Sequence, residues 1–159
     1  MLVQDAEDFI EKYGKSVYRF ALSLTKHKDI ADDVFQEVFL RYVKKQPHFD
    51  SDEHAKAWLF VVTRNCSRNY FMSAFVRRCV PLIDDFPVLK KESYGVYENV
   101  LKLPTKYRIV IHLFYYEEYT TKEIAQILNK KEATIRTQLK RARALLKQQI
   151  EGSDIDEVL

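Results

Sequence analysis

The sequence has few of the residues that make tight turns: three glycines and four prolines in 159 residues. Sheet proteins with many short connections rely on such residues, so their scarcity argues against that class. Good helix formers such as Leu, Lys, Glu, Gln and Arg fill long amphipathic runs instead. With 47% hydrophobic residues the chain can bury real cores, so it is predicted to be a globular all-α protein.

Cysteines and long apolar runs are also scarce. Cys66 and Cys79 each lie in a helical or helix-end pattern and form no paired framework. The start MLVQDAEDF lacks the basic region and apolar core of a secretion signal, and no run approaches the roughly 18 apolar residues of a membrane span. We therefore expect a protein of the reducing cytoplasm without direct membrane insertion.

Signatures of catalysis and of metal binding are missing as well. The histidines His27, His48, His54 and His112 show no HxxxH or HExxH spacing, and the two cysteines form no CxxC pair. The sequence has neither a glycine-rich phosphate loop nor a candidate nucleophile with its base. We considered the hypothesis that this chain is an enzyme, and we expect no catalytic activity, no cofactor and no stoichiometric metal.

Charge is sorted along the chain, although the net formal charge is only +3. Between Lys130 and Lys147 seven basic residues face a single acid, Glu132. Residues 4–11 and 29–37 are rich in acids instead. This distribution predicts a basic working surface and a separate acidic one.

Apolar residues at helical spacing predict three helices in the N-terminal half. The first carries residues 9–24, the second begins with Asp29 as its cap and is stopped by Pro47, and the third covers about 53–75. The first two are expected to form a hairpin, and together the three make a small helical domain.

The helical pattern fails from Arg78 to Ser93, where Pro81 and Pro87 interrupt the chain, and it resumes before Pro104. We interpret the break as a linker whose apolar residues either dock on a partner or make a few satellite contacts. The predicted organisation is two small helical domains, residues 1–78 and 94–150, joined by a linker, 79–93, and followed by a flexible tail, 151–159.

The stretch TTKEIAQILNKKEATIRTQLKRAR, residues 120–143, has the features of a helix-turn-helix. Thr120 and Glu123 are spaced as a capping box, and Asn129 tolerates the left-handed conformation of a sharp turn. A second helix restarts near Lys131, and arginines, lysines and threonines flank its apolar stripe. Such a helix suits the major groove, where Arg binds guanine and Lys holds phosphates. A solvated basic face on a helical hairpin is the alternative.

These and other motifs resemble the extracytoplasmic-function (ECF) sigma factors of the sigma-70 family. The C-terminal matches are LPxxxRxV at 103–110, EIA at 123–125, TIR at 134–136 and LxRAR at 139–143. In the N-terminal half, DIADDVFQEVFLR (29–41) resembles the segment that docks on RNA polymerase, and AWLFVVTRNCSRNYF (57–71) resembles the promoter-melting helix. Both domains appear in the family's order and cover nearly the whole chain.

The resemblance implies a sigma factor that directs core RNA polymerase to promoters. The implied partners are the polymerase, through its β′ clamp and β flap, promoter DNA, and an anti-sigma factor that can hold the protein at the membrane. The implied minus-35 residues are Lys131, Thr134, Arg136, Thr137, Lys140, Arg141 and Arg143. The implied minus-10 residues are Lys56, Arg64, Asn65, Arg68 and Asn69, with the loop 47–51 holding a flipped base. The implied polymerase contacts are Asp32, Asp33, Phe35, Gln36, Glu37 and Phe39.

A helix-turn-helix regulator that works without polymerase is the second hypothesis. Its C-terminal domain would read an operator while its N-terminal domain sensed a signal or dimerised. The two hypotheses differ in one property, since such a regulator binds DNA unaided and a sigma factor of this kind needs core polymerase.

Overall fold

The computed structural model describes the backbone of residues 3–77 and 95–158, and the side chains of 4–70 and 98–151. Contacts between Cα atoms divide the chain into two units, residues 1–86 and 87–159. All regular elements in the described ranges are helical, which confirms the predicted class. The predicted linker and Cys79 lie outside the described residues.

The described part of the N-terminal unit, residues 3–77, is a bundle of three helices, each packed on the other two. They are α1 (Val3–Thr25), α2 (Lys28–Lys45) and α3 (Asp52–Arg77). Phe20 of α1 and Phe60 of α3 are fully buried, and their rings meet edge to face with centroids 5.0 Å apart. Aromatic pairs in this geometry add to the stability gained from apolar burial, so this contact anchors α1 on α3.

The start of α2 differs from the prediction. Asp29 is not the cap, because the helix begins earlier: His27 is the N-cap, and its Nδ1 accepts a hydrogen bond from the backbone N–H of Ile30 at 3.4 Å. Lys26 before it takes the left-handed conformation, with φ of 54°, which lets the chain turn back. Asp29 lies in the first turn, where its negative charge is favourable near the helix N-terminus.

In the C-terminal unit, residues 95–158 form four α-helices and a π-helical turn. They are α4 (Gly95–Leu101), α5 (Thr105–Ile111), the π-turn (His112–Tyr116), α6 (Thr121–Leu128) and α7 (Glu132–Val158). The long helix α7 packs on α4, α5 and α6 and so forms the centre of the unit. It continues to Val158, through the segment 151–159 that the sequence analysis set apart as a tail.

The π-turn was not predicted. It closes with a hydrogen bond of 3.1 Å from the Glu117 N–H to the His112 carbonyl. The His112 ring is buried, and its Nε2 lies 3.5 Å from the carboxylate of Glu117, which is buried as well. Within this turn Tyr115 and Tyr116 remain about half exposed, at 50% and 43%. Apolar periodicity alone predicts that α5 simply continues here. A π-turn adds only one residue to a helical turn, and this changes the spacing of the apolar residues little.

A buried arginine organises the junction of α4 and α5. Arg108, from the LPxxxRxV motif, is only 3% exposed. Its Nη1 donates to the carbonyls of Leu103 at 2.8 Å and Leu101 at 3.4 Å, and its Nη2 donates to Thr105 Oγ1 at 3.2 Å. The guanidinium therefore satisfies carbonyl groups that the short α4 leaves open at its C-terminus.

The helix-turn-helix was predicted correctly. Thr120 is the N-cap of α6, and both hydrogen bonds of the capping box with Glu123 are present, at 3.0 and 3.1 Å. Asn129 ends α6 in the left-handed conformation, with φ of 53°. The hydrophobic face of α6 is buried, and so are Ile135 and Leu139 in the predicted apolar stripe of α7, with exposures of 0% and 2%.

Candidate promoter and polymerase interfaces

The outward side of α7 carries most of the predicted DNA contacts. Six of these residues are exposed at or near its N-terminal half: Lys131, Thr134, Arg136, Thr137, Lys140 and Arg141. With 100° between successive residues, Thr137 lies near the middle of the face, Arg136 and Lys140 on one flank, and Arg141 on the other. Since the opposite side of α7 is buried, this face is held rigidly and remains open to a ligand.

Arg143, the seventh predicted contact, has a different environment. It follows Arg136 by two helical turns, and its Nε donates a 2.6 Å hydrogen bond to the Tyr115 hydroxyl. Its guanidinium also lies over the rings of Phe114 and Tyr115, 5.3 and 5.6 Å from their centroids. Helical spacing keeps Arg143 on the flank of Arg136 and Lys140, and its guanidinium is held against the rings of the π-turn.

A neighbouring basic residue was missed by the sequence analysis. Lys106, at the start of α5, lines a cavity of about 300 Å³ together with Tyr107, Thr134, Thr137 and Arg141. Its Nζ lies 4.9 Å from the centroid of the Tyr107 ring. Only the tertiary packing of α5 against α7 places this lysine beside the outward face, so local spacing gives no signal for it.

The π-turn and α7 border a second, apolar groove. It has a volume of about 550 Å³ and is lined by Val100, Ile111, Leu146 and Ile150, with Arg143 on its rim. An exposed apolar concavity of this kind is a typical site for a protein partner.

The outward side of α2 combines acids with exposed apolar residues. Asp33, Gln36 and Glu37 are exposed, and Glu37 forms an ion pair with Arg41, Oε1 to Nε, at 3.1 Å. Leu40 and Val43, which the sequence analysis did not select, are 53% and 41% exposed. Helical geometry puts Leu40 beside Asp33 and Gln36, so the face is amphipathic rather than merely acidic.

Three other predicted polymerase contacts lie deeper. Asp32 is half-buried and hydrogen bonds with Tyr18, whose pKa is raised to about 12 by burial first and by this carboxylate second. Phe35 is half-buried and Phe39 is 4% exposed, with their ring centroids 4.8 Å apart. These side chains support the α2 face from beneath.

The predicted minus-10 residues lie on α3. Asn65, Arg68 and Asn69 are exposed, and Arg64 is half-buried one turn before Arg68. Burial, followed by the charge of Arg68, lowers the pKa of Arg64. Lys56 lies about two turns before Arg64 on the same helix, with its Nζ 5.8 Å from the centroid of the Phe60 ring. Two neighbouring guanidinium groups repel each other, so this surface gains from an anion placed between them.

The loop between α2 and α3 borders a pocket of about 420 Å³. Aromatic rings form its wall: Phe9 stacks on Tyr42 with centroids 3.7 Å apart, and Phe49 of the loop lies nearly parallel to Phe9 at 6.0 Å. The loop begins at Gln46, which ends α2 in the left-handed conformation with φ of 45°. Parallel rings around an open space suit a flat aromatic ligand.

Carboxylates surround the mouth of this loop pocket: Asp5, Asp8, Asp50 and Asp52. Asp52 is fixed, because it accepts hydrogen bonds from Lys12 Nζ and from the Tyr13 hydroxyl, both at 2.8 Å. These bonds, that of Lys12 first, lower the pKa of Asp52. The mouth therefore offers hydrogen-bond acceptors and repels anions.

In the described ranges, 3–77 and 95–158, none of the helices has the length and apolarity that crossing a membrane requires. The same residues contain no group of three or more His, Cys, Asp or Glu side chains arranged to hold a metal ion.

Comparison with known proteins decides the family. The family model for sigma-70 region 2 matches residues 9–74, and the family model for sigma-70 region 4 matches residues 96–146. The ECF RNA polymerase sigma factor SigM of Bacillus subtilis (strain 168) is 34% identical over 156 residues, which cover 89% of this chain and 92% of SigM. The chain belongs to the ECF sigma factors.

Other ECF sigma factors are similar over comparable lengths. SigW of Bacillus subtilis (strain 168) is 28% identical, over 92% of this chain and 90% of that protein. Because region 2 and region 4 models both match, the two-domain sigma factor is favoured over a regulator that acts without polymerase. The region 2 match includes the α2 face, the α3 surface and, apart from Asp5 and Asp8, the lining of the loop pocket. The region 4 match includes the outward face of α7.

Solved structures share the fold of this ECF sigma factor. The sigma factor RpoE of Bartonella quintana, in complex with the anti-sigma factor NepR, aligns with a TM-score of 0.75 and 22% identity, over 94% of this chain and 98% of that chain. CnrH, in complex with the cytosolic domain of CnrY, aligns with a TM-score of 0.67 and 24% identity, over 94% of this chain and 89% of that chain.

Proposed function

We propose that this sigma factor gives core RNA polymerase promoter specificity through two DNA contacts, one from each unit. The observation that carries the proposal is the outward face of α7, where Arg136, Thr137 and Lys140 are exposed on a helix whose other side is buried. This face would enter the major groove of the minus-35 element. Arg136 would bind a base edge, while Lys140 on the same flank and Arg141 on the opposite flank of the face would hold phosphates.

The α3 surface would bind the melted minus-10 strand. Arg64 and Arg68 are one turn apart and would track the phosphate backbone. Asn65 and Asn69 lie beside them, and Lys56 lies nearer the start of the helix. An extruded base would enter the loop pocket and stack on Phe9 and Phe49. The acidic mouth accepts hydrogen bonds, so we infer that the pocket favours a base with an exocyclic amino group, namely adenine, cytosine or guanine, over thymine.

The α2 face would bind the β′ clamp of the polymerase. Leu40 and Val43 would supply apolar contact area, and Asp33, Gln36 and Glu37 would provide charge and hydrogen bonds around it. The apolar groove beside the π-turn would receive the β flap. In this scheme the protein performs no covalent chemistry and needs no cofactor.

An anti-sigma factor is a further proposed partner. RpoE and CnrH, which share this fold, are found in complex with the anti-sigma factor NepR and with the cytosolic domain of CnrY. A comparable inhibitor of this chain would keep the protein inactive in the cytoplasm and, if membrane-bound, would hold it at the membrane. Competition between a purified inhibitor and core polymerase for the sigma factor would test this proposal.

Arg136→Ala should reduce promoter-specific transcription roughly tenfold, because one base contact in the major groove is lost. Run-off transcription with core polymerase would measure the loss, and co-purification would show unchanged binding to the polymerase. Lys102→Ala, an exposed lysine on the same unit outside the α7 face, is the control. Equal losses of transcription and of polymerase binding would mean that the substitution had disrupted the fold instead.

Lys106→Gln should weaken binding of the holoenzyme to promoter DNA without changing its sequence preference. If Lys106 contacts a phosphate across from Lys140, the slope of log affinity against log salt concentration should become shallower by about 1. Gel shifts at several salt concentrations would measure that slope, with Lys102→Gln as the matched control. An unchanged slope would remove Lys106 from the DNA interface.

A further inference from the structure

Glu132, the single acid in the basic stretch from Lys130 to Lys147, joins the two helices of the helix-turn-helix. Its Oε1 accepts a 2.9 Å hydrogen bond from the hydroxyl of Thr121, at the start of α6. The same oxygen lies 3.5 Å from Nη2 of Arg136, one turn along α7. The capping box at Thr120 fixes the first turn of α6, so the carboxylate is held from a neighbouring helix.

These contacts are too exposed to matter much for stability. The side chains of Glu132 and Arg136 are 39% and 64% exposed, and ion pairs of this kind contribute little to folding. Their effect on the conformation of the Arg136 side chain is larger than their effect on folding stability. A long, charged side chain samples many rotamers, and a partner that is itself fixed restricts those rotamers before any ligand binds.

We propose that Glu132 is a positioning residue for Arg136, holding the guanidinium where it meets a base edge and opposing its placement on a phosphate. This rests on the proposed contact of Arg136 with the minus-35 element. Specificity is a difference of affinities, and a fixed negative charge beside the reading arginine lowers binding to wrong sites more than to the right one. Removing that charge should therefore raise non-specific affinity while lowering discrimination.

The test uses the full-length chain with core RNA polymerase. A promoter library randomised across the minus-35 element is transcribed, and the transcripts are sequenced to give a preference profile at each position. Arg136→Ala should flatten the preference at one position. Glu132→Gln keeps an acceptor for Thr121 but removes the charge, and it should reduce the preference at that same position roughly fivefold to tenfold. Thr121→Val, which removes the donor fixing the carboxylate, should flatten it partly.

A double variant distinguishes positioning from direct contact. If Glu132 acts through Arg136, adding Glu132→Gln to Arg136→Ala should change the profile no further. A further change in the double variant would mean that Glu132 reads the DNA itself, and an unchanged profile in Glu132→Gln alone would mean that it has no role. Either result overturns the proposal while leaving Arg136 in place as a base contact.

The controls separate this proposal from its premise. If Arg136→Ala left the preference profile unchanged, neither the proposed base contact nor its positioning residue would stand. Glu98→Gln, an exposed acid on α4, should leave the profile unchanged. Thermal unfolding of Glu132→Gln should match that of the unaltered protein, since a purely structural role would shift the unfolding midpoint and spare the profile.

Discussion

Reversing two charges on α2, with Asp33→Lys and Glu37→Lys together, is expected to weaken binding to core RNA polymerase on the order of 100-fold. Both carboxylates are exposed beside Leu40 and Val43, so they would border the contact area. Lysines there would repel a complementary basic surface and would leave its charges unpaired. A direct binding assay with purified core polymerase would measure the change.

A matched control exists on α1. Glu7 and Glu11 are also exposed and four residues apart on a helix of the same unit, so Glu7→Lys with Glu11→Lys makes the same change in net charge. This control should bind polymerase nearly as well as the unaltered protein. If both double variants lose affinity equally, bulk charge governs binding, and the α2 face loses its assignment.

Arg108→Met is expected to destabilise the C-terminal unit by about 3 kcal/mol. The substitution roughly preserves side-chain volume but removes the donors to the carbonyls of Leu101 and Leu103, which would stay buried without these hydrogen bonds. Thermal unfolding followed by circular dichroism would report the loss. Hydrogen exchange should localise it to α4–α7 and leave α1–α3 protected.

The neighbouring Lys106→Met is the control for this change. Lys106 is exposed, so its replacement should alter stability by less than about 0.5 kcal/mol. Equal unfolding behaviour for Arg108→Met and the unaltered protein would show that the buried guanidinium does not hold the α4–α5 junction together.

The helix-turn-helix could be predicted because its signals are local. A capping box needs only Thr120 and Glu123, and the turn needs only one residue, Asn129, that tolerates positive φ. The buried stripe of α7 follows from residue spacing alone. The amphipathic pattern likewise predicted α1, α2 and α3, apart from their end residues.

The features that were missed depend on tertiary contacts. The histidine cap at His27 replaces the expected Asp29, because the chain reverses through Lys26 in a conformation that spacing does not reveal. The environment of Arg143 depends on Tyr115, which the π-turn places beside it. The site at Lys106 likewise exists only after α5 packs on α7.

The loop pocket illustrates the same limit within the N-terminal unit. A loop that holds a base was expected at residues 47–51, yet two of the aromatic walls, Phe9 and Tyr42, come from α1 and α2. Their periodicity indicates core positions, and Phe9 indeed stacks on Tyr42. Only the folded chain shows that one edge of this cluster opens toward the acidic mouth.

The most direct test of promoter specificity compares the protein with and without core RNA polymerase. Gel shifts and run-off transcription on fragmented genomic DNA would be carried out with the chain alone, with core polymerase alone and with both. We predict discrete start sites and specific shifts only when both are present. Tight, sequence-specific binding by the chain alone, with no directed transcripts after polymerase is added, would contradict the account.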